Sequence, residues 1–438
     1  MTQTFYEPTA TPLYGPDFAA DPQAVYQQLR SLGRAVVPVE ISPGVGAWLV
    51  IGYRAALDLL NDPETWSKDP RAWQAQLPED CPIRPMMEWR PNPLFTDGAE
   101  HARYRAVVVD SFSLIEPHQL RAQVAQVADQ LIQRFAERGQ ADLVADYARE
   151  LPLRLFNRLF GMPDTDGDRL LTALGGMLEA NSPQEATASG AAFAQYVTDL
   201  VTSKQQRRAA DLTSWYIDHP AALSVEEVLH NVILTLGAGN EPTANLISNS
   251  LSRMLSDDRY YSSLAGGALT VWDAIQDVLR NEPPMANYGA HFPRRTVQFH
   301  GTWIQAGELV MISFAAANTT PDHLPPGPRS DPGAHLAWSA GPHSCPVKQP
   351  ALLIAATAIE RLTSYLCDME LAVPRAELPW RPGPFHTALA SLPVRFSPIR
   401  PEQPGVTPWS SSPSSSTPQE ATFPPRQPAS ASTAPPSR

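Results

Sequence analysis

Residues 338–350 read WSAGPHSCPVKQP and run directly into the apolar stretch ALLIAATAIERL at 351–362. The second stretch predicts a helix, so Cys345 lies in a Gly/Pro-punctuated loop just before a helix N-terminus. Unpaired amides and the positive end of the helix dipole lower a thiol pKa there and favour a thiolate, which is a soft metal ligand. A structural cysteine is the more ordinary occupant of such a position in isolation. Gly341 and His343 nearby instead favour close approach to a flat or anionic group.

The composition limits the classes of protein to which the chain can belong. It has 438 residues, of which 43% are hydrophobic, and a formal net charge of −12. The negative charge disfavours general nucleic-acid binding, which needs clustered Lys and Arg. Cys81, Cys345 and Cys367 show no C-x-x-C spacing, which argues against a disulfide framework or a zinc site. No run of about 18 apolar residues and no signal-peptide pattern occurs, so we expect a cytoplasmic protein that does not bind membranes.

The composition changes at about residue 400. Residues 401–438 are nearly pure Pro, Ser, Thr, Ala and Gln. Such a segment buries too little apolar surface to offset its ordering entropy, so it is predicted to be a disordered tail. Residues 1–400 contain no comparable linker and are predicted to form one domain.

Helical periodicity dominates this domain. Apolar residues recur at helical spacing in two clear stretches, which begin near Leu120 and Leu151. The strand-like pieces are short and lie at 36–41, at 47–53 and within 295–315. The sequence therefore predicts a mainly α fold with a small β portion.

Residues 67–96 form a segment rich in Pro and Trp that shows no helix or strand periodicity. Long irregular segments inside compact domains are usually binding lids or flexible coverings. We therefore interpret this segment as a lid over a binding site.

The stretch around Cys345 resembles the heme-binding loop of the cytochrome P450 superfamily, whose pattern is Phe-x-x-Gly-x-His/Arg-x-Cys-x-Gly. The resemblance implies that Cys345 is the proximal iron ligand and that Trp338 is the aromatic residue near the heme. It also implies that Gly341 is the turn glycine and that His343 contacts a propionate. This resemblance implies the cytochrome P450 fold for residues 1–400 and heme b as the cofactor.

Two positions of the loop depart from that pattern. Ser339 replaces the glycine that commonly follows the aromatic residue, and Val347 replaces the glycine two residues after the cysteine. Val347 adds a branched side chain where the backbone normally passes close to neighbouring elements. This change concerns local packing rather than the iron ligand.

Other superfamily motifs follow in the expected order. The stretch DGAEHARYR at 97–105 resembles the motif in which His101 and Arg105, one helical turn apart, reach a heme propionate. Without the other motifs, a His-x-x-x-Arg pair on a helix is more often a solvated surface pair. His335 likewise matches a propionate-binding position, and His291 lies where many bacterial, actinobacterial-type relatives carry a propionate arginine.

A long helix is predicted from Ser224 to about Leu255. Ser224 and Glu227 form a capping box at its start, in which each side chain bonds an early backbone amide. At its centre, residues 236–246 read LGAGNEPTANL and resemble the superfamily's Ala-Gly-x-acid-Thr oxygen-binding motif.

Ala238, Gly239 and Glu241 match that motif, but Pro242 stands at the position of the catalytic alcohol. Proline has neither a hydroxyl nor an amide hydrogen, so it cannot take part in hydrogen-bonded proton delivery. Thr243 follows directly but points about 100° further round the helix. Proline also removes the bond to the carbonyl of Ala238 and is expected to open the helix there.

Asp277 and Arg280 in AIQDVLRNEPP, at 274–284, match the Glu-x-x-Arg pair that supports the heme loop in this superfamily. They are three residues apart and therefore adjacent on one helix face. Aspartate keeps the charge but shortens the reach by one methylene, so this structural pair needs a small backbone movement or a bridging water. Arg329 is a candidate third member.

The resemblance implies a monooxygenase that inserts one oxygen atom from O2 into a small apolar organic substrate under the lid. Electrons would come from a ferredoxin and a ferredoxin reductase. Glu241, ordered water or a substrate hydroxyl would relay protons in place of the missing alcohol. Two alternatives remain open. One is a heme-containing ligand sensor or regulatory partner without oxygen activation, and the other is a peroxide-driven peroxygenase.

Overall fold

Helices make up most of the chain that the computed structural model describes, which is residues 10–78, 81, 83–179, 183–260, 269–320 and 334–399. The helices are α1 (Gly15–Ala20), α2 (Pro22–Ser31), α3 (Tyr53–Leu60), α4 (Arg71–Gln74), α5 (Arg84–Met87), α6 (Gly98–Ser113), α7 (Pro117–Gln133), α8 (Glu150–Leu159), α9 (Gly167–Glu179), α10 (Pro183–Gln206), α11 (Leu212–Asp218), α12 (Val225–Leu255), α13 (Val271–Asn281), α14 (Phe314–Ala317) and α15 (Lys348–Tyr365).

The strands are short. They are β1 (Thr11–Pro12), β2 (Val36–Ser42), β3 (Val45–Val50), β4 (Trp66–Ser67), β5 (Gln140–Asp142), β6 (Asn287–Pro293), β7 (Val297–Phe299), β8 (Thr302–Ile304), β9 (Val310–Ser313), β10 (Glu370–Leu371) and β11 (Pro393–Arg395). The predicted fold class, mainly α with a small β portion, is confirmed. The described residues fall within one compact unit, and the tail predicted at 401–438 lies outside the described residues.

The largest sheet has the strand order β1-β2-β3-β9-β6-β4. β2 and β3 are the strands predicted at 36–41 and 47–53, and they pair antiparallel. β3 runs parallel to β9, which pairs antiparallel with β6. The sequence did not predict β6, because Gly289 at a φ of 73° and a register shift between Tyr288 and His291 interrupt its pattern.

The longest helix, α12, passes through the main hydrophobic core and packs against α8, α10, α13 and α15. Its predicted capping box is confirmed. The Glu227 amide donates to Ser224 Oγ at 3.2 Å, and the Ser224 amide donates to Glu227 Oε2 at 2.8 Å. The helix runs through Pro242 without ending, so the expected opening does not divide it into two helices.

The segment at 67–96 contains two one-turn helices, α4 and α5. Trp73, Met87 and Phe95 are buried, so much of the segment is anchored to the body of the protein. Its function as a lid remains a prediction.

Candidate active site

The loop that carries Cys345 is held by backbone hydrogen bonds immediately before α15. The Cys345 amide donates to the carbonyl of Trp338 at 2.9 Å, and the Ser344 amide donates to the carbonyl of Gly341 at 3.1 Å. The Val347 amide donates to the sulfur of Cys345. The half-buried thiol is therefore fixed in position at the entrance to the helix.

The net effect of these surroundings on the Cys345 thiol is opposite to the expectation. Burial raises the pKa of Cys345, and the Val347 amide and the charges of Arg105 and Lys348 oppose that rise only in part. The expected lowering was wrong because burial outweighs the Val347 amide and the two positive charges. The helix dipole adds little, since α15 begins three residues after the cysteine. A metal cation would favour the thiolate directly.

Two loop residues adopt left-handed backbone conformations. Gly341 has a φ of 66°, and a Cβ there would lie 2.1 Å from the carbonyl oxygen of Leu60 at the end of α3. Only glycine allows the loop to rest on α3 in this way. Ser339 has a φ of 60° at the position where the superfamily pattern has glycine, which costs an L-residue about 1–2 kcal/mol.

Lys68, His101, Arg105, His291 and His343 form a group that we call the basic cluster. The rings of His101 and His343 stack with their centroids 3.9 Å apart. Burial, together with the charges of His343 and Arg105, lowers the pKa of His101 to about 4. Burial also lowers the pKa of His291 far below its ordinary value, and Lys68 and His343 add to that effect. An anion at this position would stabilise the charged forms of all five side chains.

Asp97 is a carboxylate that faces the basic cluster. It occupies the N-cap position of α6 without making a side-chain cap. Instead it accepts hydrogen bonds from the Ser67 hydroxyl at 2.6 Å, the Lys68 amide at 3.1 Å and Arg294 Nη2 at 2.8 Å. His343 Nε2 lies 3.8 Å from its Oδ1. Burial alone would raise the pKa of Asp97, but the nearby His343 imidazole, the hydrogen bonds from Ser67 and Lys68, and the charge of Arg294 hold it well below its ordinary value.

The sequence did not predict Lys68, Asp97 and Arg294 as members of this site. β4 pairs with β6 so that Ser67 lies opposite Phe292, which brings Lys68 beside His291. No local pattern in the sequence reveals that pairing. Asp97 could have been found, because it lies one helical turn before His101 at the start of α6.

Trp338 and His335 precede the cysteine in the same loop region. Trp338 packs against the main hydrophobic cluster, and its Nε1 is buried without a hydrogen-bond partner among the described residues. The Nδ1 of His335 accepts a hydrogen bond from the Ala337 amide at 3.2 Å. The predicted heme contacts of both side chains stay predictions.

One side of α12 is open at its centre, although the helix is otherwise mostly buried there. Gly237 and Ala238 are exposed, and Leu234, Glu241 and Pro242 are partly exposed. These five residues follow one another at helical spacing and therefore share one side of the helix, which we call the open face.

Other residues of the predicted oxygen-binding motif point elsewhere. Thr243 is buried, in contrast to Pro242 beside it, so the structure does not bring its hydroxyl to the open face. A Cβ on Gly239 would lie 2.8 Å from the ring of Phe156, so this glycine allows α8 and α12 to pack closely. Of the predicted motif residues, Ala238, Glu241 and Pro242 are the ones that share the open face.

The carboxylate of Glu241 is engaged by two other residues. It forms an ion pair with Arg381, from the segment after α15. Asn245, one helical turn further along α12, donates to Glu241 Oε1 at 3.2 Å. Arg381 in turn is positioned by its backbone amide, which donates to the carbonyl of Ala388 at 2.9 Å. Arg381 could not be predicted as a partner of Glu241, because the two residues are 140 positions apart along the chain.

Asp277 connects α13 to the C-terminal part of α12. Its Oδ2 lies 2.5 Å from Arg253 Nε, and its Oδ1 accepts a hydrogen bond from Asn281 at 2.8 Å. Arg280 lies close enough to Tyr53 for its charge to lower the pKa of that phenol, although burial raises it overall. The structure thus gives the aspartate a partner on α12, and the predicted pairing of Asp277 with Arg280 stays a prediction. Arg329 lies outside the described residues.

These features fit a heme. Cys345 offers one soft ligand, the basic cluster offers groups suited to two propionates, and the open face of α12 leaves room for a flat group. Trp338 Nε1, which is buried and has no hydrogen-bond partner among the described residues, adds a hydrogen-bond donor. Among the described residues, no three or more His, Cys, Asp or Glu side chains are grouped so that they could coordinate a metal ion. The donor set therefore suits an iron porphyrin with one thiolate ligand.

No described helix combines the length and the apolar character needed to cross a lipid bilayer. No protein-family model matches the chain.

The chain is similar to individual bacterial proteins over most of its length. The chain is 32% identical over 392 residues to the cytochrome P450 monooxygenase PikC of Streptomyces venezuelae, covering 87% of this chain and 92% of that protein. It is 30% identical over 399 residues to the vitamin D(3) 25-hydroxylase of Pseudonocardia autotrophica, covering 88% of this chain and 96% of that protein.

The fold agrees with the sequence comparison. The crystal structure of the myxobacterial cytochrome P450 CYP267B1, in complex with myristic acid, matches with a TM-score of 0.77 and 27% identity. The match covers 88% of this chain and 98% of that one. With the extent of the similarity to PikC, these findings show that the chain belongs to the cytochrome P450 superfamily of heme monooxygenases.

Proposed function

We propose that the protein inserts one oxygen atom from O2 into a small, largely apolar organic substrate. The cofactor in this proposal is heme b, which supplies the activation of dioxygen when bound, and thiolate donation favours O–O cleavage. The supporting observation is the thiol of Cys345, fixed at the entrance to α15 and accompanied by the basic cluster.

The chain's own residues would hold the cofactor in the following way. Cys345 ligates the iron, while Trp338 and Gly341 shape the loop on that side. Ala238, which is exposed on the open face of α12, would leave space for the cofactor. The propionates are received by His101, Arg105, His291, His335 and His343.

Proton delivery is the step in which this chain differs most from the superfamily pattern. Pro242 provides no hydroxyl, and Thr243 is buried on another side of α12. Glu241 is the titratable group on the open face, so we propose that it passes protons through ordered water or a substrate hydroxyl. Because Arg381 and Asn245 both hold the Glu241 carboxylate, part of that contact has to open before the carboxylate can accept a proton.

The substrate would lie between the open face of α12 and the segment at 67–96, which acts as the lid. The name of the Pseudonocardia relative refers to vitamin D(3), and the myxobacterial neighbour holds myristic acid. Both are largely apolar molecules, which supports an apolar organic substrate here. Electrons are proposed to come from a ferredoxin and its reductase.

Glu241→Gln is the direct test of the proposed relay. The variant keeps the shape of the side chain but replaces the carboxylate with a neutral amide that has no acid–base function. We expect the share of consumed electrons that appears in product to fall to near background. Unchanged coupling would reject the role of Glu241 and would leave the identity of the cofactor untouched.

A ligand sensor without oxygen activation is the second candidate. The proline at the alcohol position and the engagement of Glu241 by Arg381 favour it, because both reduce the capacity for proton delivery. A peroxide-driven peroxygenase is the third candidate, since a proline beside the acid of this helix also recurs in peroxygenase members of the superfamily.

One experiment separates the three candidates. The purified protein is given a panel of apolar substrates with either ferredoxin, reductase and NADPH, or hydrogen peroxide alone. Product with the reductase system supports the monooxygenase, and product with peroxide alone supports the peroxygenase. Substrate binding without product under either condition supports the sensor and contradicts the proposed function.

A further inference from the structure

Lys68, the second residue of the lid segment at 67–96, is both charged and buried. It is 5% exposed, and its ammonium forms no ion pair with an acidic side chain among the described residues. Burial lowers the pKa of Lys68 to about 8, and the charge of Asp97 opposes that effect only in part. A buried ammonium is costly unless an anion lies beside it. The position of Lys68 therefore favours a bound anion.

Strand pairing directs the Lys68 side chain into the basic cluster. β4 and β6 pair antiparallel with Ser67 opposite Phe292, and the continuation of that register sets Lys68 opposite His291. Residues that lie opposite each other in an antiparallel pair project from the same face of the sheet. In agreement with this placement, the charge of Lys68 adds to burial in lowering the pKa of His291. Lys68 thus enters the cluster from the side of the lid segment.

Asp97 closes the base of the lid segment, because it directly follows the last residue of that segment and binds the first two. Its carboxylate accepts hydrogen bonds from the Ser67 hydroxyl at 2.6 Å and from the Lys68 amide, which lies 3.1 Å from both of its oxygens. Asp97 Oδ1 is also 3.8 Å from Nε2 of His343. Both ends of the lid segment therefore meet at one carboxylate, which contacts the loop that carries the predicted iron ligand.

Two cations at this position lack a carboxylate partner. Asp97 is already paired with Arg294, whose Nη2 lies 2.8 Å from its Oδ2. Arg105 donates to Ser344 Oγ at 3.5 Å and, like Lys68, forms no ion pair with an acidic side chain among the described residues. A heme carries two propionates, so its two negative charges match the two positive charges that the protein leaves uncompensated.

We propose that Lys68 binds a heme propionate and that Asp97 ties Lys68 to the heme loop, so that the bound cofactor holds the base of the lid segment in place. The inference rests on the heme of the proposed function but not on oxygen insertion. Without an anion, exposure of Lys68 to water would relieve its buried charge. The pairing of β4, which is two residues long, would then be the contact that opens. Lys68 thus couples retention of the cofactor to order in the lid segment.

The test measures heme loss and lid order in the purified, heme-loaded protein. Heme loss is followed by transfer to excess apomyoglobin, and lid order by amide hydrogen exchange of residues 69–78. Lys68→Met keeps an unbranched side chain but removes the charge, so we expect both heme loss and exchange to become about ten-fold or more faster. Lys68→Arg should restore most of both properties. Arg84→Gln, which removes another cation of the lid segment, should change neither.

Resonance Raman spectra of the propionate bending modes test the contact itself, and we expect these modes to differ between the wild type and Lys68→Met. Lys68→Gln serves in all three measurements if Lys68→Met does not fold. Identical modes or unchanged heme loss would overturn the role of Lys68. Unchanged exchange of residues 69–78 in both Lys68→Met and Asp97→Asn would overturn the link to the lid segment.

The outcome is independent of the proposed reaction, because none of these measurements requires turnover. A protein that retains heme through Lys68 but forms no product would contradict the monooxygenase and leave this inference standing. Product formation together with unchanged heme loss in Lys68→Met would do the reverse.

Discussion

Arg381 and Glu241 form an ion pair that joins the segment after α15 to the centre of α12. The side chain of Glu241 is 12% exposed and that of Arg381 is 27% exposed. Water therefore solvates either charge poorly when its ion-pair partner is removed. The carboxylate that stands in the proposed proton path therefore also has a structural partner. Separating these two roles requires both stability and coupling measurements.

The structural role of the Glu241–Arg381 ion pair predicts that the two single substitutions lower the free energy of unfolding non-additively. We expect Glu241→Gln and Arg381→Met each to lower the free energy of unfolding by about 1–3 kcal/mol, because each leaves one buried partner unpaired. The double variant should lose clearly less than the sum. Urea unfolding followed by circular dichroism measures all four proteins, and additive losses would show that the two side chains do not interact.

Pro242→Thr restores the hydroxyl that the superfamily motif carries. If proton delivery limits the reaction, the rate of coupled product formation should rise by about ten-fold or more, since a positioned acid–base group contributes about 10²–10⁴ in rate. Pro242→Val is the matched control, because it restores the backbone amide without a hydroxyl. An equal rise in both variants would assign the effect to the helix backbone rather than to the alcohol.

Ser339 occupies a left-handed conformation that glycine adopts without strain. Replacing it with glycine should raise the free energy of unfolding by about 0.5–1 kcal/mol, since relief of about 1–2 kcal/mol is offset in part by the entropy that glycine loses on folding. Ser339→Ala keeps the strained Cβ and should change stability little. Thermal unfolding of the heme-loaded proteins measures both, and a lower melting temperature for the glycine variant would contradict the assigned strain.

The buried side chain of His386 should make the free energy of unfolding depend on pH. Burial, with a smaller effect of the Arg381 charge, lowers its pKa in the folded protein to about 4. The unfolded chain, with an ordinary histidine pKa of about 6.5, binds more protons between those values, so the stability present above pH 6.5 is lost as the pH falls towards 4. At pH 5 the loss from this group is about 1–2 kcal/mol relative to pH 8.

His386→Gln isolates this contribution from those of the basic cluster. The urea midpoint of the variant should fall less between pH 8 and pH 5 than that of the wild-type protein. The same fall in both proteins would show that His386 is not held neutral by the fold.

The predictable parts of the fold were those with a strong local pattern. Patterns only a few residues long predict the capping box of Ser224 and Glu227, the hairpin of β2 and β3, and the helix after Cys345. β6 could not be predicted in this way, because a glycine and a register shift interrupt its alternation.

The site was predictable only in so far as its motifs are local. His101 and Arg105 lie one turn apart, and the structure places them in the same basic cluster as His291 and His343. Lys68 and Arg381 join the site through strand pairing and through packing of the C-terminal segment, which no spacing in the sequence reveals. The pKa of Cys345 was predicted in the wrong direction because burial, which depends on the whole fold, outweighs the helix dipole.

Ligation of heme iron by the Cys345 thiolate is tested by the absorption spectrum of the reduced, carbon-monoxide-bound protein, recorded for the wild type and for Cys345→Ala. Cys81→Ala and Cys367→Ala serve as controls. We expect the long-wavelength Soret band of thiolate-ligated heme in the wild type and in both controls, and its loss in Cys345→Ala. Protein that remains colourless when expressed with ample heme precursor, or a Cys345→Ala variant that keeps the thiolate band, would contradict it.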